Sequence, residues 1–205
     1  MKRVLPLGVG LLLLSAAGLQ AQKSRTATGS SVAASVKGAS GVQQLAVAQL
    51  PTGGGQASND TAGVSMSGQL TSSSISAVTA GEADSDGLGS TQSVATASDV
   101  NLLNGVVTAD RVVGIASVVM NRNKFSGDVD GSSITNLSVN GTLVAGGDYT
   151  PAPNTRMTIP GGYVVLNEQV VNGKGSGMSV SVNMIHVYLS SGGEIVVGAA
   201  SSAIQ

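Results

Sequence analysis

The sequence predicts an all-β fold, an antiparallel β-sandwich built from short hairpin-connected strands. Three observations carry this. Val, Ile and Leu recur in short blocks bounded by Gly, Asn and Pro, the pattern of strands ended by turns. No segment after the first twenty residues keeps apolar positions at the three-four spacing of a helix, and 29 glycines are too many for long helices. Two of the three Asn-Gly dipeptides, Asn104-Gly105 and Asn140-Gly141, sit directly between apolar runs, where the positive φ both residues tolerate suits a tight hairpin turn.

The N-terminus reads as a secretory leader. Lys2 and Arg3 precede an apolar run from Val4 to Leu14, followed by small residues and Leu19-Gln20-Ala21, so cleavage is expected after Ala21. The run is shorter than the roughly 20 apolar residues that span a bilayer. Residues 1–21 are therefore assigned to a signal peptide. Residues 22–62 form an N-terminal strand segment, either a donor strand for a neighbour or part of the sandwich, and residues 63–205 the sandwich domain. No C-terminal membrane anchor is expected.

Along the chain, Ser31 to Val36 and Val42 to Leu50 read as two strands, with a Gly/Ser/Asn-rich loop over Thr52 to Thr61. Val64 to Met66 and Ile75 to Val78 form a fainter pair, and Gly81 to Gly89 an acidic loop. Val94 to Leu103 leads through Asn104-Gly105 to a long strand, Val106 to Met120, with a bend or bulge expected at Gly114. Asn121 to Gly131 reads as a polar connection. Ile134 to Val139 and Thr142 to Ala145 flank the second Asn-Gly turn. Arg156 to Ile159, Tyr163 to Val171, Met178 to Leu189 and Glu194 to Ile204 complete the set. In the strand Met178 to Leu189, simple alternation places Met184, His186 and Tyr188 on one face.

Composition excludes several functions. Charged residues make up 10% of the chain and the net charge is −1, so no basic surface for nucleic acid or anionic membrane is expected. With no cysteine there is no lipid attachment through a leader cysteine, no disulfide and no thiolate zinc site. The four aromatics, Phe125, Tyr149, Tyr163 and Tyr188, cannot supply the girdles of an outer-membrane barrel.

No catalytic or cofactor-binding residue is assigned. His186, the single histidine, has no partner near it in sequence, and no Gly-x-Ser-x-Gly elbow occurs. Glu82, Asp84 and Asp86, alternating before Gly87, resemble the opening of a calcium loop, but Ser93 stands where its bidentate acid belongs. These three are the calcium candidates, and Asp128-Val-Asp130 is a second acidic turn. Glu168 falls in an apolar strand and wants a partner; Arg111, placed among Val107, Val113 and Ile115, is a candidate. Lys37, Lys124 and Lys174 are the lysines considered for Lys–Asn crosslinks.

The segment Asp99-Val-Asn-Leu-Leu-Asn-Gly-Val-Val-Thr-Ala-Asp110 resembles the choice-of-anchor P family. Ile134 to Gly141, Pro153-Asn-Thr155, Ile159 to Gln169, Ile185-His-Val187 and Glu194 to Ala200 follow in the same order. The resemblance implies a bacterial surface-exposed β domain with no enzymatic activity to carry over. Leu50-Pro51-Thr52-Gly53 only faintly echoes a sortase signal.

Together these readings lead to a non-enzymatic extracellular or cell-surface structural protein, a filament or surface-layer subunit whose partners are copies of itself joined through β-strand edges. The alternative is a secreted adhesin or glycan-binding module, with Tyr149, Tyr163 and Phe125 as the aromatics available to a sugar.

Overall fold

The computed structural model describes residues 25–122 and 124–205, and the expected leader lies outside them. Thirteen strands and no helix are found among the described residues. They are β1 (Ala27–Gly38), β2 (Gly41–Gln49), β3 (Gly55–Met66), β4 (Leu70–Ala83), β5 (Leu88–Leu102), β6 (Val107–Asn121), β7 (Lys124–Asp128), β8 (Ser133–Val139), β9 (Thr142–Tyr149), β10 (Thr155–Ile159), β11 (Gly162–Lys174), β12 (Gly177–Leu189) and β13 (Glu194–Ile204).

Two antiparallel sheets pack face to face as a β-sandwich, as the alternating strand pattern requires. The first runs β10-β11-β12-β13-β1-β2; the second runs β3-β4-β5-β6-β8-β9, with β7 paired to the far end of β6. The chain crosses between sheets at both flanks, from β2 to β3 on one side and from β9 to β10 on the other. The described part of the 22–62 segment is woven into both sheets, with β1 hydrogen-bonded between β13 and β2.

Three expected loops are shorter than their composition suggested. β3 begins at Gly55 inside the expected 52–61 loop, because the long β4 offers a partner for each of these small polar residues. The acidic loop shrinks to residues 84–87, since Glu82 and Ala83 still pair with Ser90 and Gly89. Within the expected 121–131 connection, β7 pairs with β6. The Asn140-Gly141 turn has positive φ at both residues (54° and 72°), as its two-residue hairpin demands.

A crease runs across each sheet. In the first, the ladder pairs Leu166 with Ile185 and Glu168 with Asn183, skipping Asn167 and Met184. The skip continues through Gly198, Ala33 and Ala46. Every second strand carries a left-handed residue at this line: Asn167 (φ 50°), Gly198 (φ 72°) and Ala46 (φ 47°). The second sheet repeats the device at Gly63 (φ 64°), Asp99 (φ 49°) and Asn136 (φ 52°). A left-handed residue rotates the strand beyond it, so the side-chain alternation reverses. On β12 the buried set changes from Val180, Val182 and Met184 to Ile185 and Val187. Simple alternation therefore fails at one place: Met184 does not share a face with His186 and Tyr188.

The core is made of small residues. Ala33, Ala34, Ala77, Ala95, Ala97 and Ala116 are wholly buried beside Val, Leu and Ile, so the sheets approach closely. At the crease they touch backbone to backbone: a Cβ built on Gly114 would fall on the carbonyl of Gly198, and one on Gly198 would press on Val112. Gly114 pairs regularly with Ala95, so this approach, rather than the expected bulge, explains the glycine. Nearer the start of β1, buried hydroxyls replace apolar contact. Ser93 Oγ donates to the Ser201 carbonyl (2.8 Å), Ser202 Oγ to the Ala116 carbonyl (2.8 Å) and Ser31 Oγ to the Val78 carbonyl (3.0 Å). Such pairing removes most of the cost of burying a hydroxyl.

If the Gly114–Gly198 contact sets the sheet spacing, Gly114→Ala lowers unfolding stability by about 1–3 kcal/mol through overpacking. Gly38→Ala, where a Cβ meets open space, changes it by less than about 0.5 kcal/mol. Urea midpoints of the two variants against the parent check this.

Candidate functional site

The densest group of interacting polar side chains lies on the outer face of the first sheet, and the crease creates it. Because alternation reverses after Met184, Asn183 and His186 point outward together although three residues apart, and Tyr188 follows. Glu168 on β11 sits opposite Asn183. Its Oε2 accepts from Asn183 Nδ2 (2.8 Å) and His186 Nδ1 (2.7 Å), and its Oε1 accepts from the Tyr188 hydroxyl (2.7 Å). A carboxylate only accepts, so Nδ1 carries the imidazole proton.

Across β12, Glu194 of β13 pairs with Lys37 of β1 at 2.7 Å. Glu194 Oε2 stands 3.6 Å from His186 Nε2, too far for a hydrogen bond, and Nε2 is buried without a partner. The aromatic rings form a column beside these charges. His186 stacks on Tyr188 with centroids 3.9 Å apart, Tyr188 on Tyr163 at 4.8 Å, and the Arg156 guanidinium covers the far face of Tyr163 at 3.6 Å.

The electrostatics follow from these partners. Burial pushes the Glu168 carboxyl up, but the three hydrogen bonds together hold it below its ordinary value. Burial and the adjoining Glu168 carboxylate hold the Tyr188 phenol well above its ordinary range, so it remains a donor. The hydrogen bond from Lys37 holds Glu194 low. Chemically, Glu168 fixes one imidazole tautomer, as an orienting carboxylate does. The other nitrogen faces a second carboxylate, that of Glu194.

The sequence-derived candidates lie elsewhere. Asp84 Oδ1 accepts the backbone N–H groups of Asp86 and Leu88, both at 2.9 Å, closing the tight 84–87 turn. Glu82 belongs to β4 before that turn. Asp128 Oδ1 accepts the Asp130 N–H in the same manner. Among the described residues no group of three or more His, Asp or Glu is placed to hold a metal ion. Arg111 is exposed on the other sheet and does not reach Glu168, whose partners are Asn183, His186 and Tyr188. Lys37 serves Glu194 rather than an asparagine. Arg25 lies over the Phe125 ring, and Arg156 covers Tyr163, so two of the three aromatics considered for a sugar already carry a guanidinium.

A second feature is the flank formed by β2 and β3. β2 contains no charged residue and β3 only Asp60; neither contains lysine or proline, the usual guards of an edge. β3 is exposed over most of its twelve residues. One tie joins the two edges, Asn59 Nδ2 to the Val47 carbonyl at 3.4 Å. Between them opens a groove of about 530 Å³ lined by Leu45, Val64 and Met66 among polar neighbours.

Residues 26–147 match the model of a domain of unknown function, DUF8256. The chain belongs to this family. No curated protein and no solved structure matches it. The DUF8256 segment spans β1 to β8 and most of β9, and so includes the β2–β3 flank. Of the outer-face cluster it contains Lys37 alone.

Glu168 makes the site pH-dependent with a definite sign. Its folded-state value is depressed, so its stabilising contribution is present above the ordinary 4.5 and is lost as pH falls through the folded value. Glu168→Gln is expected to lower stability by about 1–2 kcal/mol at neutral pH. That difference shrinks as pH falls below 4.5 through the depressed folded-state value. Urea unfolding of both proteins across pH 3–7 checks it; a constant gap would count against a charge-dependent role.

Proposed function

We propose that this chain is a non-enzymatic extracellular or cell-surface structural protein that associates with copies of itself through β-strand edges. The observation that carries the reading is β3, a twelve-residue edge strand with one charge, no proline, and its outward backbone groups available to another strand. β2 beside it is uncharged and exposes Val42. A monomer that must stay dispersed guards such edges, whereas an assembling subunit leaves them open.

Other features agree. The low charge leaves little long-range repulsion between copies. The resemblance of residues 99–200 to choice-of-anchor P surface proteins, together with the leader-like N-terminus, favours an exported location. Coverage of the Tyr163 ring by Arg156 disfavours the glycan-binding alternative, since a sugar needs a free aromatic face.

Size-exclusion chromatography and negative-stain microscopy at rising concentration test the reading. The parent is expected to form dimers and larger regular species. Ser58→Lys with Ala62→Lys, both exposed on β3, is expected to raise the concentration needed by about tenfold or more, with unfolding unchanged within about 0.5 kcal/mol. A parent that stays monomeric throughout would sink the proposal.

A further inference from the structure

The two flanks of the sandwich are matched to each other. Each sheet has six strands along its main path, and every neighbouring pair is antiparallel. Six alternating strands leave the two edges of a sheet pointing in opposite directions. A copy displaced sideways by one sheet width thus brings its β9 antiparallel to β3, and its β10 antiparallel to β2, with no reorientation. The inner faces of both sheets stay inner.

The rows agree as well as the directions. In the second sheet one ladder row runs Ser65–Thr71–Asn101–Thr108–Ser138–Leu143. The next runs Met66–Leu70–Leu102–Val107–Val139–Thr142. In the first sheet a row runs Gln43–Val36–Ile195–Val187–Val164–Met157. Sideways displacement therefore sets Leu143 of the neighbour beside Ser65, and its Met157 beside Gln43. Ser65 and Gln43 both line the groove between β2 and β3. On the donating flank, Asn140 Nδ2 binds the Thr158 carbonyl at 3.0 Å, which holds the β8–β9 turn and β10 at one level.

Shape and surface chemistry select the head-to-tail arrangement over a two-fold one. The β2–β3 flank is grooved, with apolar Leu45, Val64 and Met66 in it. The β9 flank instead carries Leu143, 62% exposed, on the outer face in the row of Ser138. Two grooved flanks face to face would leave the groove unfilled. They would also bring Asp60, near the middle of β3, close to its own symmetry mate, an unfavourable like-charge pairing.

We propose that this protein polymerises head to tail, β9 of one copy adding to β3 of the next and β10 to β2, with Leu143 beside Ser65 on the outer face and Thr142 beside Met66 on the inner one. Because the contact is heterologous, it does not close on a pair; the right-handed twist of the sheets turns sideways displacement into a screw, so the product is a filament. The inference rests on the self-association proposed above and names its two surfaces.

The absence of cysteine makes the test direct. Ser65→Cys and Leu143→Cys are made singly and together in the full chain, with Gln92→Cys, on the outer face away from both flanks, as a collision control. Adjacent positions on paired strands lie within disulfide reach. Under mild oxidation, mixing the two single variants is expected to give a crosslinked dimer, and the double variant a ladder of multimers. Each single variant alone, and the control, should give at most about a tenth of that yield. Efficient dimers of the Ser65→Cys variant alone would overturn the head-to-tail arrangement while leaving self-association standing. Assembly of the parent by microscopy without any Ser65–Leu143 crosslink would do the same. A chain that remains monomeric would overturn both.

Discussion

The structure depends on one backbone constraint: a line of left-handed residues crossing each sheet. Asn167, Gly198 and Ala46 in one sheet, and Gly63, Asp99 and Asn136 in the other, stand where the ladder skips a pair. An L-residue in this conformation is strained by its Cβ, and Gly, Asn and Asp bear it best. Side chains make good the skipped ladder bonds. Asn136 donates to Asp110 (2.6 Å) and accepts from the Gly147 N–H (2.7 Å), Asn167 donates to the Pro151 carbonyl (2.7 Å), and Ser72 Oγ donates to the Ser98 carbonyl (2.6 Å). Ala46 is the exception, a buried alanine with positive φ and no side-chain bond to hold it.

Two consequences follow from the crease. Gly198 brings its carbonyl against Gly114 of the facing sheet, so the spacing of the sandwich is fixed by backbone contact. Around that contact sit Val112 and Met184, and elsewhere alanine and valine make up most of the interior. The crease also turns His186 outward. Under unbroken alternation the imidazole would follow Met184 into an apolar core, where its two nitrogens would lack partners. Turned outward, it reaches Glu168.

The fold was legible because strand alternation is a local property. Blocks such as Ile134 to Val139, and turns such as Asn140-Gly141, announce themselves within a few residues. The same locality hid β3: Gly55 to Met66 is too small and polar to look like a strand, and only the long partner β4 makes it one. The polar cluster was out of reach for a different reason. Glu168 and His186 meet through the β11–β12 register and the reversal at Asn167 and Met184, and neither residue advertises a reversal. Arg111 seemed a plausible partner for Glu168 because apolar neighbours flank both, but the two lie on different sheets. The alternating acids Glu82, Asp84 and Asp86 suggested a calcium loop from their spacing; the two backbone amides that Asp84 Oδ1 accepts, which close the turn, are not visible in that spacing.

The outer-face cluster is better understood as a brace than as a binding platform. His186 stacks on Tyr188 along β12, Tyr188 meets Tyr163 of β11 across the sheet, and Arg156 of β10 covers Tyr163. Its charges run the same way, from Lys37 on β1 through Glu194 on β13 to His186 on β12 and Glu168 on β11. Bonds and ring contacts thus join β1 to β13, and β12 to β11 and β10, on one surface. The last of them, β10, has only five residues in the ladder and is the strand least able to hold its place by backbone bonding alone. Arg156, its single charge, is the residue that ties it to the column. A short edge strand held by a guanidinium on an aromatic ring keeps a defined position while its outer side stays free. A strand meant to meet another chain needs both properties.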